Sequence, residues 1–222
     1  MAAIEVVAQH GWGFAAWCWD DWRAVMPADF ALHCLDRGYF GPATIDVPSR
    51  PQILIVHSLG LHLLTPDLAA GAGAIVVLGG FRHFHPEDER LARRSRHAVE
   101  KMALRLGREP RALLADFYAR CGMAQARAQD ELDIERLYGD LMLLQEHELD
   151  MDFLQTGVPV RIIHGAEDRI VPLAKAGQLH DLVPGSALTV LPGAGHALPI
   201  THIRECWRVV EDDWRARYPA SG

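Results

Sequence analysis

The sequence predicts an α/β fold: a mostly parallel sheet with helices on both faces and a small helical cap insertion. Three observations lead there. Short apolar runs rich in β-branched residues, such as Ile53-Leu54-Ile55-Val56, alternate with helical stretches, the pattern of parallel strands joined by crossover helices. The runs end in turn-forming segments such as Gln9-His10-Gly11-Trp12-Gly13 and Gly79-Gly80, where ligands of parallel sheets gather. Between Phe81 and about Asp150 the β-branched residues thin out and Leu, Ala, Arg and Glu take over. The core is therefore expected from residues 1–80 and 151–222, and the cap from 81–150. With 222 residues, half of them apolar, the chain can bury the core of one domain.

In chain order, Ile4 to Ala8 reads as a strand running into the His10-Gly11-Trp12-Gly13 loop, where glycine lets backbone N–H groups approach a ligand closely. Trp17, Trp19 and Trp22 follow in a helix, spaced for packing. Phe30 to Leu35 is a short strand, and Pro42 to Pro51 a turn-rich connector. Ile53 to Val56 is a buried strand, followed by the turn His57-Ser58-Leu59-Gly60 and a helix expected to begin at once after Ser58. A serine on such a turn is a nucleophile elbow, with its hydroxyl pushed off the sheet toward the N–H groups of the new helix. The usual G-x-S-x-G pattern has Val56 at its first glycine, so the turn is crowded and the packing or the serine geometry must adjust. Taken alone, a serine here also suits helix capping.

Ala74 to Leu78 is the next strand. In the cap, Leu91, Val99, Met102, Leu106, Leu113, Leu114 and Phe117 mark helical faces, broken at Gly107 to Pro110 and at Gly122. Its charge is divided: from Arg82 to Arg127 ten arginines and Lys101 stand against six acids, and from Ala128 to Asp150 eight acids against one arginine. Such runs commonly form solvated helix faces; a basic patch can also steer an anionic partner. The sheet pattern resumes at Val158 to Ile163 and again at Ala187 to Leu191, and Ile203 to Arg217 reads as a closing amphipathic helix.

The net charge of −7 argues against nucleic acid as the main partner. No apolar run approaches the ~20 residues needed to span a membrane, and the opening segment lacks a basic signal-type region. Cys18, Cys34, Cys121 and Cys206 are widely spaced, with no C-x-x-C pair, as expected of free thiols in a cytoplasmic protein. The twelve histidines include no H-E-x-x-H and no His/Cys quartet, so no metal is expected, and the serine chemistry read next needs no organic cofactor.

Two more strand ends present an acid, Asp168, in His164-Gly165-Ala166-Glu167-Asp168, and a base, His196, in Gly193-Ala194-Gly195-His196. With Ser58 the chain order is Ser, Asp, His. The chemistry requires all three: an imidazole to take the serine proton near neutral pH, and a carboxylate to fix its tautomer. Backbone donors for an oxyanion are assigned to Leu59, just after the serine, and to Trp12.

These segments, together with Asp36-Arg37-Gly38-Tyr39-Phe40-Gly41 and Val171-Pro172, resemble the α/β-hydrolase superfamily over essentially the whole chain. Within it, the His10-Gly11-Trp12-Gly13 loop, the stretch Leu141 to Leu149 and Gly195-His196-Ala197-Leu198-Pro199-Ile200-Thr201-His202 are most similar to the carboxylesterases that cleave the methyl ester of pimeloyl-acyl carrier protein in biotin synthesis. The chain is shorter than the best-known of them, which implies a missing leading hairpin and a trimmed cap. The resemblance implies acyl carrier protein as partner, docked on cap arginines, here Arg111, Arg120 and Arg127, with Phe117 over the acyl chain. It leaves open a general short-chain esterase or thioesterase, a lyase of the menaquinone-pathway type, and a binding module that keeps the pocket without catalysis.

Overall fold

Six strands make one sheet in the order β2-β1-β3-β4-β5-β6, every neighbouring pair parallel. They are β1 (Ile4–Gln9), β2 (Phe30–Leu35), β3 (Ile53–His57), β4 (Ala74–Leu78), β5 (Val160–Gly165) and β6 (Ala187–Leu191). The structure is a computed structural model that describes residues 3–124, 127, 131–151, 154 and 157–219. The chain winds outward from β1 to β2, then crosses back to β3 and continues the other way. The strand order therefore reverses between β1 and β3, the point where open parallel sheets bind ligands. Gln9 lies in register with Val56, so the glycine loop after β1 and the turn after β3 leave the sheet side by side.

Period-two alternation divides the strands between two buried clusters. Val6, Ala8, Ile53, Ile55, Val76 and Leu78 join the cluster that also holds Trp22, Trp207 and the cap residues Leu113 and Phe117. Val7, Leu54, Val56, Ile75, Val77 and Ile162 join the other, with residues of α1 (Pro66–Gly71) and α5 (Leu173–Leu182). Both faces are covered, which is why β3 and β4 read as unbroken apolar runs. Full burial of each such side chain contributes about 1.5–3 kcal/mol. The remaining core helices are α6 (Leu198–Thr201) and α7 (Ile203–Arg217). Among the described residues no helix is long and apolar enough to cross a membrane.

Two helices differ from the sequence expectation. The tryptophan-rich segment is a 3-10 helix over Ala16–Ala24, with Trp19 and Trp22 fully buried. The helix expected after Ser58 is a 3-10 turn, Ser58–Leu63, and α-helix begins only at Pro66. Pro66 explains the break. It lacks an N–H to continue the helix and forces Thr65 into extended backbone, from which the Thr65 hydroxyl caps α1 by accepting from the Leu68 N–H.

Between β4 and β5 the chain forms α2 (Glu89–Leu106), α3 (Pro110–Arg120) and α4 (Ile134–Glu146). Asp88 and Asp133 cap α2 and α4 by accepting from the Leu91 and Arg136 N–H groups. The two ends of this segment hold each other: His83 bridges Glu148, and the Leu149 N–H donates to Arg82 O at 2.9 Å. Helix α4 is also fastened to the core. Buried Asp140 accepts from Arg37 Nε at 2.6 Å, Arg37 Nη2 at 2.7 Å and the Tyr39 hydroxyl at 2.6 Å. The Trp12 indole donates to Leu137 O at 2.8 Å.

Candidate active site

Ser58 stands at the end of β3 with φ of +55°, the positive φ of a non-glycine residue that a tight elbow demands and that occurs nowhere else among the described residues. An L-residue in this conformation costs about 1–2 kcal/mol, so the surrounding packing holds it there. Gly60 shows how closely. A Cβ at that position would lie 2.7 Å from His10 O and 2.9 Å from Gln9 O, so only glycine lets the elbow seat against the end of β1. Val56, the departure from the elbow pattern, is absorbed by packing: it is fully buried in the cluster of Val7, Leu61 and Val77.

His196 follows β6, and its Nε2 lies 2.9 Å from Ser58 Oγ. Its Nδ1 lies 2.6 Å from Asp168 Oδ2. The carboxylate can only accept, so Nδ1 carries the proton and Nε2 presents its lone pair to the serine hydroxyl. Asp168 Oδ1 accepts from the Ile170 and Val171 N–H groups, each at 2.8 Å. Burial pushes the Asp168 carboxyl up, but His196 and these two amides outweigh it and hold it below the ordinary carboxylate range. His164 lies 3.6 Å from Asp168 Oδ2 and donates to Val171 O at 2.9 Å. Burial keeps it uncharged, its pKa below the usual histidine value.

Trp12, Ser58 and Leu59 line one wall of a cavity of about 860 Å³ beneath the cap. Phe81, Val99, Leu113, Phe117 and Leu141, all buried, give it apolar walls beside these residues. The Phe117 ring meets Trp12 edge-on at 4.9 Å and lines the same cavity as Ser58. Leu59 is the second residue of the 3-10 turn, so its N–H precedes the first intrahelical donor.

The three cap arginines fare differently. Arg120 lines the cavity. Arg127 does not: it lies over the Trp17 ring at 5.0 Å and pairs with Asp20 at 3.4 Å. Arg111 is exposed near the start of α3, away from the cavity lining. The cations that do reach the mouth include Arg94, Lys101 and Arg105 of α2, and Arg169, which the sequence reading passed over. Arg105 is held by Asp116 at 2.5 Å, whereas Arg94, Lys101 and Arg120 form no ion pair among the described residues. The signal was present: positions 94, 101 and 105 are seven and four residues apart, which puts them on one helical stripe.

No family model matches the chain. The structure superposes on an esterase from Exiguobacterium antarcticum with a TM-score of 0.75 at 15% identity, over 96% of this chain and 92% of that one. This chain has the α/β-hydrolase fold. In sequence, it is similar to proteins named pimeloyl-[acyl-carrier protein] methyl ester esterase. The protein of that name from Pectobacterium atrosepticum is 27% identical over 89% of each chain. The one from Aromatoleum aromaticum is 24% identical over 94% of this chain and 97% of its own.

Proposed function

We propose that this protein is a cytoplasmic serine carboxylesterase that hydrolyses the methyl ester of pimeloyl-acyl carrier protein in biotin synthesis. The observation that carries the reading is the hydrogen-bonded line Asp168–His196–Ser58, which opens on an apolar cavity with a cationic mouth. In this reading Ser58 Oγ attacks the ester carbonyl carbon as His196 Nε2 takes its proton. Asp168 keeps the tautomer and stabilises the imidazolium. The negative charge that develops on the carbonyl oxygen is held by the Trp12 and Leu59 N–H groups. Each such donor is worth about 3–4 kcal/mol in the transition state. His196 returns its proton to the departing methanol. A water, activated by the same imidazole, then releases the acid from Ser58.

The substrate assignment draws on the named relatives and on the cavity's two chemistries. Apolar walls suit a hydrocarbon chain, and exposed Arg94, Lys101 and Arg120 at the mouth suit the phosphate and acidic surface of a carrier protein. Two measurements test it. Turnover of p-nitrophenyl butyrate should vanish in Ser58→Ala, and persistence of turnover would overturn the serine mechanism. The wild-type gene, but not Ser58→Ala, should rescue a biotin auxotroph lacking its pimeloyl-ester esterase. Failure of a well-expressed wild type to rescue would overturn the substrate while leaving the hydrolase reading intact.

A further inference from the structure

We propose that His57 is a positioning residue for this reaction: its Nε2–H grips the main-chain carbonyl of His196 and ties the loop bearing the general base to the strand bearing the nucleophile. The inference rests on the roles given above to Ser58 and His196. His57 is the last residue of β3, fully buried, and its Nε2 lies 3.0 Å from His196 O. A carbonyl can only accept, so this nitrogen carries the proton. The other nitrogen, Nδ1, is buried and has no hydrogen-bond partner, so the ring is the neutral Nε2–H tautomer. Burial first, then the neighbouring His196, push its pKa well below the ordinary histidine value.

The ring is held on both sides. The Phe14 ring meets it edge-on at 5.1 Å, and a Cβ on Gly11 would come within 3.3 Å of Nδ1, so the glycine loop closes one side. The His196 ring lies 4.9 Å away on the other. His196 is thereby anchored twice, through Nδ1 by Asp168 and through its carbonyl by His57; the same carbonyl also accepts from the Leu198 N–H at 2.8 Å. A donor here must be uncharged, because a second cation beside His196 would oppose the imidazolium that forms during attack. A buried histidine meets that condition; a lysine or arginine does not.

The test compares three substitutions on the full chain with p-nitrophenyl butyrate. His57→Gln keeps an amide N–H at the Nε2 position, His57→Asn keeps the polarity but falls short of His196 O, and His57→Phe keeps the ring without the donor. Loss of the anchor lets the base drift, and misplacement by ~1 Å can cost up to ~100-fold. The expected result is a fall in kcat of about tenfold or more in His57→Asn and His57→Phe with KM changed by less than about twofold, and most of kcat restored in His57→Gln. Should His57→Phe fail to fold, the Gln and Asn pair still decides. Equal loss in Gln and Asn, or wild-type kcat in Asn, overturns the positioning role while an inactive Ser58→Ala leaves the esterase reading standing. Activity retained in Ser58→Ala overturns both.

Discussion

Replacing Asp140 with alanine should destabilise the protein by about 2–4 kcal/mol, a magnitude that follows from what its carboxylate holds. Asp140 is 3% exposed and accepts three hydrogen bonds, two from Arg37 and one from Tyr39. Tyr39 is fully buried, so its hydroxyl would be left without an acceptor, at a cost of about 1–3 kcal/mol. The Arg37 side chain is 42% exposed and regains water when its partner goes, so its share is closer to that of a surface pair, about 1 kcal/mol. Urea unfolding of the wild type, Asp140→Ala, Tyr39→Phe and the double variant measures both numbers. Tyr39→Phe alone should cost about 1 kcal/mol, whereas in the Asp140→Ala background it should regain about 1–3 kcal/mol, because it removes a buried hydroxyl already stranded without an acceptor. An Asp140→Ala loss below about 1 kcal/mol, or full additivity in the double variant, would refute the reasoning.

Other consequences are as direct. Asp168→Asn should lower kcat on p-nitrophenyl butyrate by about 1,000- to 10,000-fold with little change in KM, since an amide no longer fixes the His196 tautomer; steady-state kinetics that show less than a tenfold fall would remove Asp168 from the mechanism. Arg94→Glu with Lys101→Glu should raise KM for carrier-linked ester and spare small esters, in a salt-sensitive way. Arg127→Glu, whose guanidinium already serves Asp20 and Trp17, should leave that KM nearly unchanged. Stability should fall on acidification. Burial holds His57, His164 and His62 below the usual histidine value, His62 at about 4. Below pH ~6.5 the unfolded chain takes up protons that the folded chain refuses, so each group costs up to about 1.4 kcal/mol per pH unit, and His62 stops contributing near pH 4. A urea midpoint that stays flat from pH 7 to pH 5 would contradict this.

Much of the architecture was legible because strand burial is written locally. Runs such as Ile53 to Val56 and Ala74 to Leu78 are apolar on both faces, and their ends carry the residues that meet at the site. Ser58, Asp168 and His196 could be read from their order and from the turns that hold them, and their distances follow from β3, β4, β5 and β6 lying side by side, all parallel, in one sheet. What was missed depended on contacts across long separations. Arg127 meets Asp20, 107 residues away, and nothing local marks it as occupied. Asp140 looked like one acid in an acidic run, yet it is buried against Arg37, 103 residues distant. The 3-10 turn after Ser58 was a local signal overlooked: Pro66 stood where the helix had to stop.

The fastening of α4 bears on how this protein could be re-engineered. Leu137 and Asp140 belong to the inserted segment, but their partners Trp12, Arg37 and Tyr39 belong to the first third of the chain. A chimera that grafts a foreign segment in place of residues 89–120 would leave these bonds intact, but it would remove the Tyr118 hydroxyl's bond to Gly13 O and the α2 face that packs on α4. A graft that also replaces α4 would cut the tether on Trp12 and leave Tyr39 without its acceptor, so a foreign segment must keep α4 together with the α2 face that packs on it.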